Sequence, residues 1–106
     1  MNPVVKHLHP RSQMAYNIYL GALFKMQQGF PRIAYELMIQ AQSMMNSIYG
    51  PLHPDIILCH RLMARMAFAM GDFPDAFAQQ QKASNLLSAS ALLIYINLGR
   101  NDLRAM

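Results

Sequence analysis

Ala22-x6-Gly29-x4-Ala34-x6-Ala41 and Ala64-x6-Gly71-x4-Ala76-x6-Ala83 are one pattern of small residues written twice, 42 positions apart and without a gap. Self-similarity at a fixed period of this order marks stacked supersecondary units, each too small to bury its own apolar face. The tripeptide Leu8-His9-Pro10 recurs as Leu52-His53-Pro54, at an offset of 44, so the first element of the two units differs in length by two residues.

Each unit carries the punctuation of a helical hairpin. Pro10 and Pro54 suit the first position of a helix, where the fixed φ helps and the missing N–H costs little. Gly29 and Gly71 end those helices by tolerating φ > 0. Phe30-Pro31 and Phe73-Pro74 open the second helix of each pair, and Gly50-Pro51 breaks the chain between units. The sequence therefore predicts an all-α fold of four helices, about Pro10–Gln28, Pro31–Tyr49, Pro54–Met70 and Pro74–Leu98, with no strand. In the third, Ile57, His60, Ala64 and Ala67 make one stripe, and Arg61, Arg65 and Phe68 another. Ala22, Ala34, Ala41, Ala64, Ala76 and Ala83 are the small residues that let paired helices approach closely. The parts are an N-terminal segment over residues 1–9, one repeat over 10–50, a second over 51–87, and a divergent helix and tail over 88–106. Together they make an open solenoid fragment.

Composition agrees. The chain has 106 residues, of which 54% are hydrophobic and 13% charged, and a net charge of +4. Such a chain folds, because disorder needs low hydrophobicity and high net charge. Ordinary domains carry about 25% charged residues, so part of this surface is expected to want a partner, with a mild bias toward acidic ones. Leu86 to Leu98, the most apolar stretch, is interrupted by Ser88, Ser90 and Asn97 and is too short to span a bilayer. Met1 to His7 has no apolar core or cleavage site of a secretory signal, and the lone Cys59 has no partner for an internal disulfide. A cytoplasmic location is the expectation.

The spacing is similar to the tetratricopeptide repeat, although the period of 42 exceeds the usual value of about 34 residues. The longer form with the Leu-His-Pro opening resembles two families, the kinesin light chains and the clustered mitochondria proteins. The run from Ile48-Tyr49-Gly50-Pro51-Leu52-His53-Pro54-Asp55-Ile56, through Cys59-His60-Arg61-Leu62-Met63-Ala64-Arg65 and Met70-Gly71-Asp72-Phe73, to Gln79-Gln80-Gln81-Lys82-Ala83, resembles the clustered mitochondria repeat almost throughout. The likeness covers Leu20 to Leu87 and is densest from Ser47 to Ala83. It implies a non-catalytic cytoplasmic scaffold that acts in the intracellular distribution of mitochondria and associates with mRNA for mitochondrial proteins and with translation. The kinesin-light-chain alternative implies an adaptor for short peptides with aromatic and acidic residues; a direct RNA-binding module is a third reading. In that family another glycine and His-Pro opening follow, whereas here Ser88 to Asn97 runs on to Gly99 without either. The array is therefore expected either to stop here or to be cut short.

No enzyme is expected. Glu36, Asp55, Asp72, Asp75 and Asp102 are scattered over turns and helix starts, where Asp55 and Asp75 favour the helix dipole. No phosphate-cradling loop or nucleophile motif is present, and no cofactor is called for. No metal is expected either, since Cys59 and His60 are adjacent on a helix and diverge by about 100 degrees. His9 and His53 are expected to order the turns before their prolines. Most of the ten methionines, among them Met14, Met26, Met38, Met44, Met45, Met63, Met66 and Met70, are expected in the core.

In arrays of this kind the first helix of each pair lines a concave groove. That puts Tyr16, Tyr19 and Leu23 beside Arg61, Arg65 and Phe68, a surface of arginine and aromatic side chains suited to an acidic peptide or single-stranded RNA. The alternative is an arginine pair that stays solvated and stacks on its own helix. A carboxylate clamp is disfavoured, because Tyr19 and Leu23 stand where it needs an amide and a base. Ser84 to Leu98 is apolar on every side and is expected to seek another repeat or a second copy of the chain.

Overall fold

A computed structural model describes residues 10–105, with side chains as far as residue 99. The expected segment 1–9, with Leu8 and His9 of the first tripeptide, lies outside the described residues, as does the side chain of Asp102. Four helices follow one another: α1 (Pro10–Gln27), α2 (Pro31–Tyr49), α3 (Pro54–Ala69) and α4 (Phe73–Ala105). Each packs on its neighbour in sequence, α1 on α2, α2 on α3 and α3 on α4.

The 42-residue offset is visible in the turn hydrogen bonds. After α1, Gly29 N donates to Met26 O (3.1 Å) and Phe30 N to Lys25 O (3.0 Å); after α3, Gly71 N donates to Phe68 O (3.0 Å) and Asp72 N to Ala67 O (2.9 Å). Both turns have the double-bonded form in which the residue past the helix is left-handed, and Gly29 and Gly71 take φ of +89° and +81°. The openings are built differently. α2 begins with Pro31 and has no side-chain cap at Phe30. α3 is capped by His53, whose Nδ1 accepts from Asp55 N at 3.1 Å and whose ring stacks on Tyr49 at 4.2 Å.

The core is one cluster running through α1, α2 and α3: Ala15, Ala22, Ala34, Met38, Ala41, Met45, Ile56, Cys59, Met63 and Met66. Ala22, Ala34 and Ala41 are wholly buried, which lets α1 and α2 approach without a side chain between them. Ile57, His60, Ala64 and Ala67 are buried as a stripe, as their spacing predicts.

Three expectations are corrected. The last helix does not stop near Leu98 but continues to Ala105. A glycine commonly ends a helix by adopting positive φ, and among the described residues that conformation is confined to Gly29, Gly50 and Gly71. Met14 is exposed, because it lies on the side of α1 away from α2. Ala76 is half-buried where its repeat mate Ala34 is fully buried, since it borders an open hollow.

That difference predicts a contrast. Ala34→Leu, which overpacks a closed contact, should cost about 1–3 kcal/mol, whereas Ala76→Leu, with open space beside it, should stay within about 0.5 kcal/mol of the parent. Paired thermal melts read both.

Candidate functional site

The first helix of each pair carries the residues singled out by the sequence. On α1, Tyr16 is exposed, Tyr19 is half-buried, and their rings meet at 6.1 Å in a tilted arrangement. Burial pushes the Tyr19 phenol above its ordinary pKa, and the nearby Cys59 and Asp55 add to the shift. On α3, Arg61, Arg65 and Phe68 are exposed. Phe68 sets its edge against Phe73 at 5.2 Å.

These residues lie over several shallow hollows and do not share one cavity. Tyr16 lines one with Ser12, Met45, Tyr49 and Asp55. Arg61 lines another with Pro54, Ile57, Leu58, Leu87 and Ser90. Arg65 sits on a divide: toward α1 it borders Leu23, Met26 and Leu62, and toward α4 it borders Phe68, Phe73 and Phe77. Leu23 and Arg65 thus border one hollow, while Tyr16 and Arg61 open onto different ones. Among the described residues no carboxylate pairs with Arg61 or Arg65 and neither guanidinium lies over a ring. Two unpaired cations four residues apart on one helix face repel each other mildly, and an anion set between them relieves that.

A second constellation is not legible from the motifs. His60 of α3 and Gln79 of α4 are both buried, and His60 Nδ1 is 2.8 Å from Gln79 Oε1. The amide oxygen accepts only, so the His60 proton sits on Nδ1. Gln79 Nε2 donates to Tyr35 Oη at 3.3 Å, and the Tyr35 hydroxyl donates in turn to Asp75 Oδ2. The relay ties α2, α3 and α4 together with each proton used once. Burial, followed by the bond and charge of Asp75, pushes the Tyr35 phenol up to about 12. Asp75 thus serves Tyr35 as well as the helix start, and Asp72 Oδ1 accepts from Asp75 N at 3.2 Å. Tyr35→Phe should cost about 1–3 kcal/mol, because it strands the Asp75 carboxylate and the Gln79 amide; urea denaturation measures it.

Cys59 and His60 turn to different helices. Cys59 Sγ lies 3.8 Å from Met45 Sδ on α2, while His60 faces α4. Burial holds the Cys59 thiol up at about 11, so it packs as a neutral apolar group. Among the described residues no group of three or more His, Cys, Asp or Glu side chains could hold a metal ion, and no helix is long and apolar enough to cross a membrane.

Comparison with known proteins agrees with this architecture. The chain is similar to a clustered mitochondria protein homolog of Culex quinquefasciatus, with 43% identity over 81 residues, 76% of this chain and 6% of the relative. A Brugia malayi homolog is 36% identical over 100 residues, covering 88% of this chain and 7% of its own. Protein clueless of Drosophila willistoni is 43% identical over 81 residues, again 76% of this chain and 6% of the relative. The chain therefore spans only about 6–7% of the length of these relatives. No solved structure gives a significant match. The profile of the tetratricopeptide repeat matches residues 12–89. With that match over most of the chain and the same turn built twice at one offset, the chain belongs to the tetratricopeptide repeat family.

Proposed function

We propose that the chain is a non-catalytic interaction scaffold of a clustered-mitochondria-type protein, acting in the cytoplasm in the intracellular distribution of mitochondria. The observation that carries the binding reading is Arg61 and Arg65, exposed on α3 with Phe68 and, among the described residues, without carboxylate partners, while Tyr16 and Tyr19 stand on α1. An acidic peptide with aromatic residues fits this chemistry, through charge pairing and ring contact. Support for the mitochondrial role comes from the names of the relatives. Association with mRNA and with its translation is the finer part of the same reading. The kinesin-light-chain-like adaptor uses the same surface for the same class of peptide; direct RNA binding is favoured only by the surplus of four positive charges. The last helix takes a protein partner too, since Leu92, Leu93, Ile94, Tyr95 and Leu98 are exposed together.

Fluorescence anisotropy with a labelled Glu/Tyr-rich peptide and with a single-stranded RNA tests the surface. Arg61→Ala with Arg65→Ala should weaken the peptide about tenfold, as expected for two charge contacts, while the helical circular dichroism stays intact. Peptide affinity unchanged in the double variant contradicts the reading. RNA binding tighter than peptide binding and falling steeply with salt favours the nucleic-acid alternative.

A further inference from the structure

Among the described residues, the outer faces of α1 and α4 are halves of a contact the chain already makes between α2 and α3. Between the units, α3 closes over α2: Met38 and Met45 of α2 are 0% and 4% exposed, and Ile56 and Met66 of α3 are both 1% exposed. Forty-two residues after Met45, at the free face of α4, Leu87 is 47% exposed. Forty-two residues before Ile56 and Met66, on the free face of α1, Met14 and Phe24 are 57% and 58% exposed. Leu20, the mate of Leu62, is exposed beside them.

The hollow at the α4 end makes the equivalence concrete. It measures 460 Å³ and is bordered by Ala64, Arg65, Phe68, Ala76, Phe77 and Gln80. The residues 42 positions earlier are Ala22, Leu23, Met26, Ala34, Tyr35 and Met38, all buried or half-buried. There α3 is the cover, for its Leu62 and Met66 border the same space as Leu23 and Met26. The repeat mates of Leu62 and Met66 are Leu20 and Phe24. The helix that fits the open hollow is therefore one with the side chains of α1.

We infer that α1 of one copy, through Met14, Leu20 and Phe24, packs into the hollow beneath Phe68 and Phe77 of a second copy, repeating head to tail the contact between α2 and α3. Such a contact is heterologous: it leaves one free face at each end, so it grows into open chains and does not close as a symmetric dimer. It deepens the partner reading of the last helix; Arg65 and Phe68 border the hollow as well, but the variants at Phe24 and Phe77 keep both, so its failure is read apart from that of the peptide surface.

Sedimentation velocity of the whole chain over the micromolar range tests the inference. The parent should form a concentration-dependent series of species. Phe24→Glu spoils one end and Phe77→Glu the other, so each alone should stay monomeric, and an equimolar mixture should give a dimer and nothing larger. Circular dichroism checks that each variant keeps its helices; Phe24→Ser and Phe77→Ser replace any that does not. Self-association of the Phe24 variant alone at parent strength would overturn the inference in favour of a symmetric contact between copies of α4. A parent monomeric at every concentration, or a mixture that stays monomeric, also overturns it and leaves the hollow to another occupant, such as a neighbouring repeat of a longer chain.

Discussion

Met38→Ala should lower the free energy of unfolding by about 2–5 kcal/mol, while Gln80→Ala, at the same position of the second unit, should change it by less than about 0.5 kcal/mol. Met38 is among the largest fully buried side chains and belongs to the cluster that joins the two units. Truncating it removes dispersion contacts and leaves a cavity that backbones held close by Ala34 and Ala41 cannot collapse to fill. Gln80 holds the same repeat position and is exposed. Urea midpoints of the two variants measure the contrast, and equal losses would mean that the second unit is covered as the first is.

Stability should fall on the alkaline side. Cys59 ionises in the folded chain at about 11 against an ordinary 9.0, and Tyr35 at about 12 against 10.0. Both pKa values are raised, so the unfolded chain gives up its protons first. The stabilisation is complete below pH 9 and is lost as pH rises through the folded values. For Cys59, which is 1% exposed, the two-unit shift is worth about 2–3 kcal/mol between pH 9 and 11. Cys59→Ala should lower stability at neutral pH but flatten that slope, and Tyr35→Phe should remove the part between pH 10 and 12. Denaturation midpoints taken across pH 7 to 12 read both; a slope unchanged by either substitution would contradict the burial argument.

The hairpin plan was legible because glycine and proline act locally. Gly29, Gly71, Pro31 and Pro54 each limit one or two dihedrals whatever surrounds them, and helix ends fall within a residue or two of the places they mark. The end of the last helix, expected near Leu98, was not marked in this way, since neither a turn glycine with positive φ nor a proline follows it. Met14 and Ala76 misled for a different reason: period shows which residues share a face, but whether that face is covered depends on a neighbour that period does not contain. The relay of Tyr35, Asp75, Gln79 and His60 was hidden because its members lie as far as 44 residues apart and each has an ordinary local explanation. Asp75 passes for a helix-start charge, Gln79 for part of a polar run and His60 for one member of an apolar stripe. At the candidate binding surface, Arg65 and Leu23 border one hollow. That Arg65 borders two separate hollows depends on which side chains of α1 and α4 rise on either side of it, and spacing within one helix does not show this.

The central claim, that the first helix of each pair presents the binding surface, is tested most directly by a nitrogen-15 chemical-shift titration of the whole chain with the Glu/Tyr-rich peptide. The account predicts shifts concentrated at Tyr16, Tyr19, Arg61, Arg65 and Phe68 on α1 and α3, with the Arg61 and Arg65 side-chain signals moving most. Shifts centred instead on Arg32, Glu36 and Ile39 of α2, or no shifts at saturating peptide, would contradict it.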